Sequence, residues 1–328
     1  MSLKLSRGPY LVADVGGTNA RFGIYRESGL GEVRVLAADD HPEFASAVAT
    51  YLDGIDEDRP VSACIAVAGP VTGDQVTLTN RSWTLSASQL QQTFSFGQVS
   101  IINDFQALAM AIPFLEDGDL FQIGPDHEPE TGKPKVILGP GTGLGVASLV
   151  PTGCGWLPLP GEGGHMAFAP CNPLEDRLLA AMHQRLERVS VEHLLSGPGL
   201  ETLYELLIEL GEIDGAPLRA EGITNRATRG NKKALYCLDL FSAMLGAYAG
   251  DLALALGARG GVYIGGGIVP RICDYMAQGP FRERFEAKGR MSHFVRNIPT
   301  WIIVAHYPAL TGAAAWLAGQ ESSAEEPS

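Results

Sequence analysis

Three glycine loops, at 16–17, 139–145 and 265–267, constrain what this 328-residue chain can fold into more than any other feature. In GPGTGLG, Gly141, Gly143 and Gly145 are spaced so that backbone can approach a ligand closely with converging N–H groups, and Thr142 adds a hydroxyl. Glycine makes up about 12% of the chain, against a usual level of about 7%, and shows no collagen-like period. No G-x-x-x-x-G-K-[ST] occurs, which excludes a P-loop protein, and no G-x-G-x-x-G, which removes the usual dinucleotide fingerprint. Each loop alone reads as a structural turn. Together, two of them on strand-turn units of similar form and the last expected to open a helix at Ile268, they point to phosphate cradling.

The remaining pattern is that of a mixed α/β chain. Apolar runs Tyr10–Val15 and Ala20–Tyr25, split by Gly16, Gly17, Thr18 and Asn19, predict a hairpin with a glycine turn. Strands are expected at 61–68, 99–102, 136–138, 146–150, 261–264 and 301–305, and helices at 43–52, 104–115, 173–188, 198–210, 233–256 and 310–317. Pro113 is expected to disturb the end of the helix that starts at Asp104. The ending ESSAEEPS, 321–328, is expected to be a disordered acidic tail.

Net charge is −13 and stays near −10 without the acids of that tail, so nucleic-acid binding as the main activity is excluded. The densest basic stretch, Arg226, Arg229, Lys232 and Lys233, reads as a solvated helix start. No signal peptide is legible near the N-terminus, where Arg7, Gly8 and Pro9 interrupt any apolar run, and a cytoplasmic protein is expected. The uncharged stretch Val136–Gly161 has seven glycines and four prolines, too many for a membrane-spanning helix to stay hydrogen-bonded. Five scattered cysteines without a C-x-x-C pair indicate buried reduced thiols rather than disulfides or zinc.

Several residues carry chemistry. In DVGGTNAR, Asp14 ends a strand, where a carboxylate can hold a metal ion through water while the turn amides face phosphates. Asn103 and Asp104 follow a strand and start a helix; capping is one role for them, and a general base that takes a proton from an alcohol is another. In GEGGH, Glu162 and His165 place an acceptor and a donor-acceptor on flexible backbone, suited to hydroxyls better than to zinc. Glu192 and His193, near a helix start, are ambiguous on their own.

The combination ADVGGTNAR (13–21), INDF (102–105), GPGTGLG (139–145), LPGEGGH (159–165), VEHLLSGPGL (191–200) and GGVYIGGGIVPR (260–271) resembles the bacterial glucokinases, the hexokinase-related type, from about residue 10 to 317. The resemblance implies an α/β, two-lobed actin-like (ribonuclease H-like) sugar kinase fold with the active site in an interlobe cleft. Its small domain would comprise residues 1–115 completed by 303–320, and its large domain 116–302. The implied reaction is transfer of the γ-phosphoryl group of ATP to the 6-hydroxyl of glucose, with ATP and Mg²⁺ as cofactors, in a cytoplasmic homodimer. Asp104 would be the base, and Asn103, Asp104, Glu162, His165 and Glu192 would bind sugar. Ala13, Asp14, Val15, Gly16, Gly17, Thr18, Asn19, Gly141, Thr142, Gly143, Gly265, Gly266 and Gly267 would bind nucleotide.

Two other classes can be weighed on the same scaffold. A sugar-sensing regulator would need a DNA-binding module, yet about nine residues precede the first strand. An actin-type ATPase would not need Glu162, His165 and Glu192. Pro140 departs from an all-amide loop because it contributes no N–H.

Overall fold

The computed structural model describes residues 3, 5, 8–55, 59–78, 83–153 and 155–325, with side chains through residue 321. The chain divides into two units: residues 1–116 with 152–160 and 305–328, and residues 117–151 with 161–304. This differs from the expected division at 152–160, which fall in the first unit rather than the large domain, and by a residue or two at 116 and 303–304.

In chain order the first unit contains β1 (Tyr10–Val15), β2 (Asn19–Arg26), β3 (Gly29–Leu30), β4 (Arg34–Ala37), α1 (Phe44–Asp53), β5 (Ser62–Val67), β6 (Gln75–Thr77), β7 (Thr84–Ser86), α2 (Ala87–Phe94), β8 (Gln98–Asn103) and α3 (Asp104–Ala111). The sheet runs β3-β2-β1-β5-β8, with β4 also on β2; β1–β2 is the antiparallel glycine hairpin, and β1, β5 and β8 are parallel. Period-two alternation splits its faces. Leu11, Ala13 and Val15 pack with Phe22, Phe44 and Tyr51, whose rings stack at 5.4–5.8 Å, while Tyr10 and Val12 pack with Cys64, Ala107 and Leu310. Helices therefore cover both faces of a mixed sheet whose strands β1, β5 and β8 are parallel.

The chain continues with β9 (Leu120–Ile123), β10 (Lys135–Pro140) and β11 (Leu144–Thr152) of the second unit, then β12 (Gly155–Gly161), all but the last residue of which falls in the first, and the second unit resumes with α4 (Pro173–Met182), α5 (Gly197–Glu209), α6 (Ala220–Ala227), α7 (Lys232–Leu256), β13 (Val262–Ile264), α8 (Cys273–Gln278), α9 (Phe281–Glu286), α10 (Ser292–Val295) and β14 (Thr300–Ile303). The second unit's own strands run in the order β11-β10-β13-β14-β9. The plan of the first sheet recurs: hairpin β10–β11 closes on a glycine turn, and β13 and β14 follow in parallel. Helix α7 begins with Asn231 capping the N–H groups of Lys233 and Ala234, and ends at Gly257, whose φ of 60° is left-handed. It is long and apolar enough to cross a membrane by length and composition, and it lies in the core of this unit.

The chain then returns to the first unit as α11 (Pro308–Glu325), which packs on α3 and β5. The expected disordered tail is corrected for 321–325. The helix continues because Glu321 is buried and accepts a hydrogen bond from the Tyr10 hydroxyl, which absorbs the polarity that composition alone reads as disorder. Residues 326–328 lie outside the described residues.

Other expected boundaries move for local reasons. Helix α3 stops at Ala111, four residues short, because Pro113 has no N–H for the Ala109 carbonyl; the Ile112 N–H bonds there instead and a 3₁₀ turn follows. Helix α4 stops at Met182, since Val189 and Ser190 are drawn into contact with 167–168. After the third glycine loop comes a 3₁₀ turn, Val269–Ile272, before α8. Cys64 and Cys237 are buried, and burial pushes both thiols far up; Cys171 is exposed, contrary to expectation, Cys273 is half-buried, and Cys154 lies outside the described residues.

Candidate active site

Open α/β sheets bind ligands beyond the carboxyl ends of their parallel strands. In the first unit β1, β5 and β8 end at Val15, Val67 and Asn103, with Gly16 and Gly69 just beyond the first two. The first glycine turn is held from within, the Gly16 N–H donating to the Asn19 carbonyl at 3.0 Å, while the Thr18 carbonyl accepts from the Ala38 N–H at 2.9 Å. Gly17 and Thr18 are exposed. Ala13 and Val15 are strand residues with side chains in the core, so only their backbone is available to a ligand. Asp14 stands directly across the hairpin from Arg21 and pairs with it at 3.0 Å. Burial raises the Asp14 carboxyl above its ordinary value, and the Arg21 guanidinium pulls it back.

At the next strand end the sequence leaves capping and base chemistry in competition. Asn103 is the cap: its Oδ1 accepts from the N–H groups of Phe105 at 2.9 Å and Gln106 at 3.0 Å, and its Nδ2 donates to the Gly69 carbonyl at 3.0 Å. Gly69, just past the end of β5, is thereby tied to the start of α3. Asp104 is the first helical residue, half-buried, with Oδ1 also accepting from Phe105 N–H at 2.9 Å. A helix N-terminus favours negative charge at that place.

The second unit gathers Glu192 and the other two glycine loops. At the turn of β10–β11, Gly141 N–H donates to Gly143 O at 2.8 Å, and Thr142 is exposed. A Cβ on Gly139 would lie 2.6 Å from the Gly265 carbonyl carbon, and one on Gly266, at φ +84°, 2.4 Å from Pro140 O. The second and third loops thus touch backbone to backbone, which side chains would forbid. Glu192 lies against the second loop as well, accepting from Leu144 N–H at 2.7 Å.

Glu162 and His165 are exposed, 3.9 Å apart at their charged atoms. The segment is not flexible as expected. It forms a 3₁₀ turn, Gly163–His165, held by the Tyr248 hydroxyl on the Gly163 carbonyl at 2.7 Å. Gly164 is packed so that a Cβ would meet Leu144 O at 2.3 Å. Sequence reading missed Tyr248 because it sits within the long apolar run of α7, where an aromatic reads as core. Ala13–Asn19, Asn103 and Asp104 belong to the first unit, and the remaining nominated residues to the second.

Two glycine hairpins leading two mixed sheets, each with parallel strands beside its hairpin and with acids and amides at the strand ends, define a protein of the two-lobed actin-like sugar kinase fold. A solved glucokinase from an Antarctic psychrotroph has that fold, with TM-score 0.86 and 38% identity over 94% of this chain and 98% of that one. A ROK-family glucokinase from Streptomyces griseus shares the fold at 19% identity and TM-score 0.64, over 94% and 99%. Among curated relatives, the glucokinase of Aromatoleum aromaticum is 44% identical over 314 residues, 93% of each protein. The family model described as Glucokinase matches residues 11–320. The chain belongs to the glucokinase family. It spans about half the length of other curated relatives that it matches, the bifunctional proteins of Burkholderia and Paraburkholderia.

Proposed function

We propose that this protein transfers the γ-phosphoryl group of ATP to the 6-hydroxyl of glucose, releasing glucose 6-phosphate and ADP. The observation that carries the reading is the division of labour at the start of α3. Asn103 accepts from the N–H groups of both Phe105 and Gln106, and Asp104 shares only the first of these, so the amide is the main cap at this strand end. Asp104 then serves as the base toward the sugar 6-hydroxyl. Asn103, Glu162, His165 and Glu192 are assigned to the other hydroxyls, since carboxylates, an amide and an imidazole suit groups that both donate and accept. A missing or inverted hydroxyl would leave one of these partners unpaired. Glucose and ATP as substrates are supported by the glucokinase relatives and by the Streptomyces protein, which is in complex with glucose and AMPPNP.

The glycine turns at 16–18, 141–143 and 265–267 are assigned to the nucleotide. Phosphoryl transfer needs chiefly alignment and charge neutralisation, and backbone amides in exposed glycine turns supply both. Mg²⁺ usually keeps several waters and is held by one or two carboxylates with substrate phosphates. Asp14 fits that donor chemistry: Arg21 takes one of its oxygens, and its side chain keeps a quarter of its surface exposed. The ion would neutralise charge on the transferring group. A cytoplasmic homodimer completes the reading.

The test is an assay of ADP release and sugar phosphate formation from ATP and Mg²⁺ across glucose, mannose, fructose and glucosamine. Glucose-dependent turnover is expected. Equal ADP release without sugar would favour an actin-type ATPase, and no phosphorylation of any hexose would overturn the proposal.

A further inference from the structure

Glu192, one of the residues assigned to the sugar, lies against the second glycine loop. Its Oε2 accepts a 2.7 Å hydrogen bond from the N–H of Leu144, the residue that closes that loop. The carboxylate occupies the space a side chain at position 143 would take: a Cβ on Gly143 would lie 2.5 Å from Oε2 and 3.3 Å from Cδ. A second tie runs between the same segments, from Gly197 N–H to Gly141 O at 2.7 Å, and the Ser196 hydroxyl donates to the Glu192 carbonyl at 2.8 Å.

The other end of this segment holds the GEGGH loop. Val191 N–H donates to Met166 O at 2.9 Å, Phe168 N–H donates to Val189 O at 3.1 Å, and Ala167 bridges Ser190. A capping box closes the intervening 3₁₀ turn, with Ser190 N–H on His193 Nδ1 at 3.0 Å. Residues 189–197 therefore form a stiff bracket, tied by backbone to loop 139–144 at one end and to 166–168 at the other.

An ionised carboxylate has about four lone-pair sites, so Glu192 can hold Leu144 N–H and still accept from a ligand hydroxyl. We propose that Glu192 couples the two substrates: hexose at its carboxylate and nucleotide phosphates at the second glycine loop favour the same docked arrangement of residues 141–144, so each tightens the other. The proposal rests on the kinase reading and adds a positioning role that the reading does not require. The two states are the loop docked on Glu192 and the loop released from it. Sugar favours the docked state because it orders the carboxylate that receives Leu144 N–H, and linkage makes the effect reciprocal.

Calorimetric titration of a non-hydrolysable ATP analogue, with and without saturating glucose, tests the coupling. In the wild type glucose is expected to tighten analogue binding at least about fivefold. In Gly143→Ala, whose methyl displaces the carboxylate, and in Glu192→Ala at glucose raised to saturation, that ratio is expected to fall to within about twofold of unity. Gly143→Ala should also weaken glucose about tenfold when no nucleotide is present. Gly141→Ala is the comparison within the same loop, because its Cβ would find nothing closer than Gly267 N at 3.9 Å. It should weaken the analogue while leaving glucose affinity within about twofold.

A wild-type ratio near unity, or an undiminished ratio in both variants, overturns the coupling. If Gly143→Ala lacks a cooperative melt, the Glu192→Ala ratio decides. A wild type that phosphorylates no hexose overturns the kinase reading instead, so the two failures are distinct.

Discussion

The Tyr248 hydroxyl, projecting from core helix α7, donates a 2.7 Å hydrogen bond to the carbonyl of Gly163 and so fixes the turn between Glu162 and His165. Burial pushes that phenol far above its ordinary value, which keeps it protonated and donating at any physiological pH. Tyr248→Phe removes the donor and leaves the carbonyl short of a partner, at a cost of about 1–3 kcal/mol. The loosened turn is expected to raise KM for glucose about fivefold, with KM for ATP and kcat at saturating sugar within about twofold. Steady-state kinetics in both substrates check this; an equal rise in both KM values would make Tyr248 a general stability residue.

Asp104→Asn keeps the size of the side chain and removes the base. Positioned acid-base groups contribute about 10²–10⁴ in rate, so kcat is expected to fall at least about 100-fold while glucose still binds. Asn103→Ala should behave differently, costing about 1 kcal/mol of stability through the lost cap, as read by denaturant unfolding. A near-normal rate in Asp104→Asn would remove it as the base.

Gly312 marks where α11 crosses α3. A Cβ there would lie 1.7 Å from the Ala107 carbonyl oxygen and 2.6 Å from its carbon, so the helices must separate. Overpacking of this kind costs about 1–3 kcal/mol, and Gly312→Ala is expected at the upper end. Gly319, farther along the same helix, has nothing within 4 Å of its Cβ position, and Gly319→Ala should add up to about 1 kcal/mol. Denaturant midpoints of the two variants are expected to move in opposite directions.

Lys135 donates to Gly260 O at 3.0 Å and to the Tyr263 hydroxyl at 3.1 Å, and burial lowers its amine from 10.5 to about 8. Between about pH 8 and pH 10.5 the unfolded chain therefore binds the extra proton. Stability from this group rises with pH across that window and is lost as pH falls back through it. Lys135→Met should lose that slope, so the wild-type-minus-variant stability difference is expected to rise between pH 8 and 9.5, measured by denaturant unfolding at a series of pH values.

Much of the fold was legible because its signals are local. Period-two runs marked β1 and β2, and Asn231 and Gly257 marked the ends of α7 through capping chemistry that involves only neighbours. The short strands β6, β7 and β9, and helices α8–α10, gave no comparable signal, since their few apolar residues acquire a facing surface only when packed. Glu321 illustrates the same limit: an acid in a polar tail reads as solvent-facing until Tyr10 is brought to it.

By itself the sequence determined the glycine turns, the strand-end positions of Asp14 and Asn103–Asp104, and the family, because each depends on residue identity within a short stretch of chain. Tertiary structure decided which neighbour caps α3, that Tyr248 rather than chain flexibility governs the GEGGH turn, and that Glu192 rests on the second glycine loop. The Asn103–Gly69 bond that orients the cap, the Tyr248–Gly163 bond and the Glu192–Leu144 bond join residues tens of positions apart, and their energies come from burial and hydrogen-bond geometry that exist only after the sheets and α7 have packed.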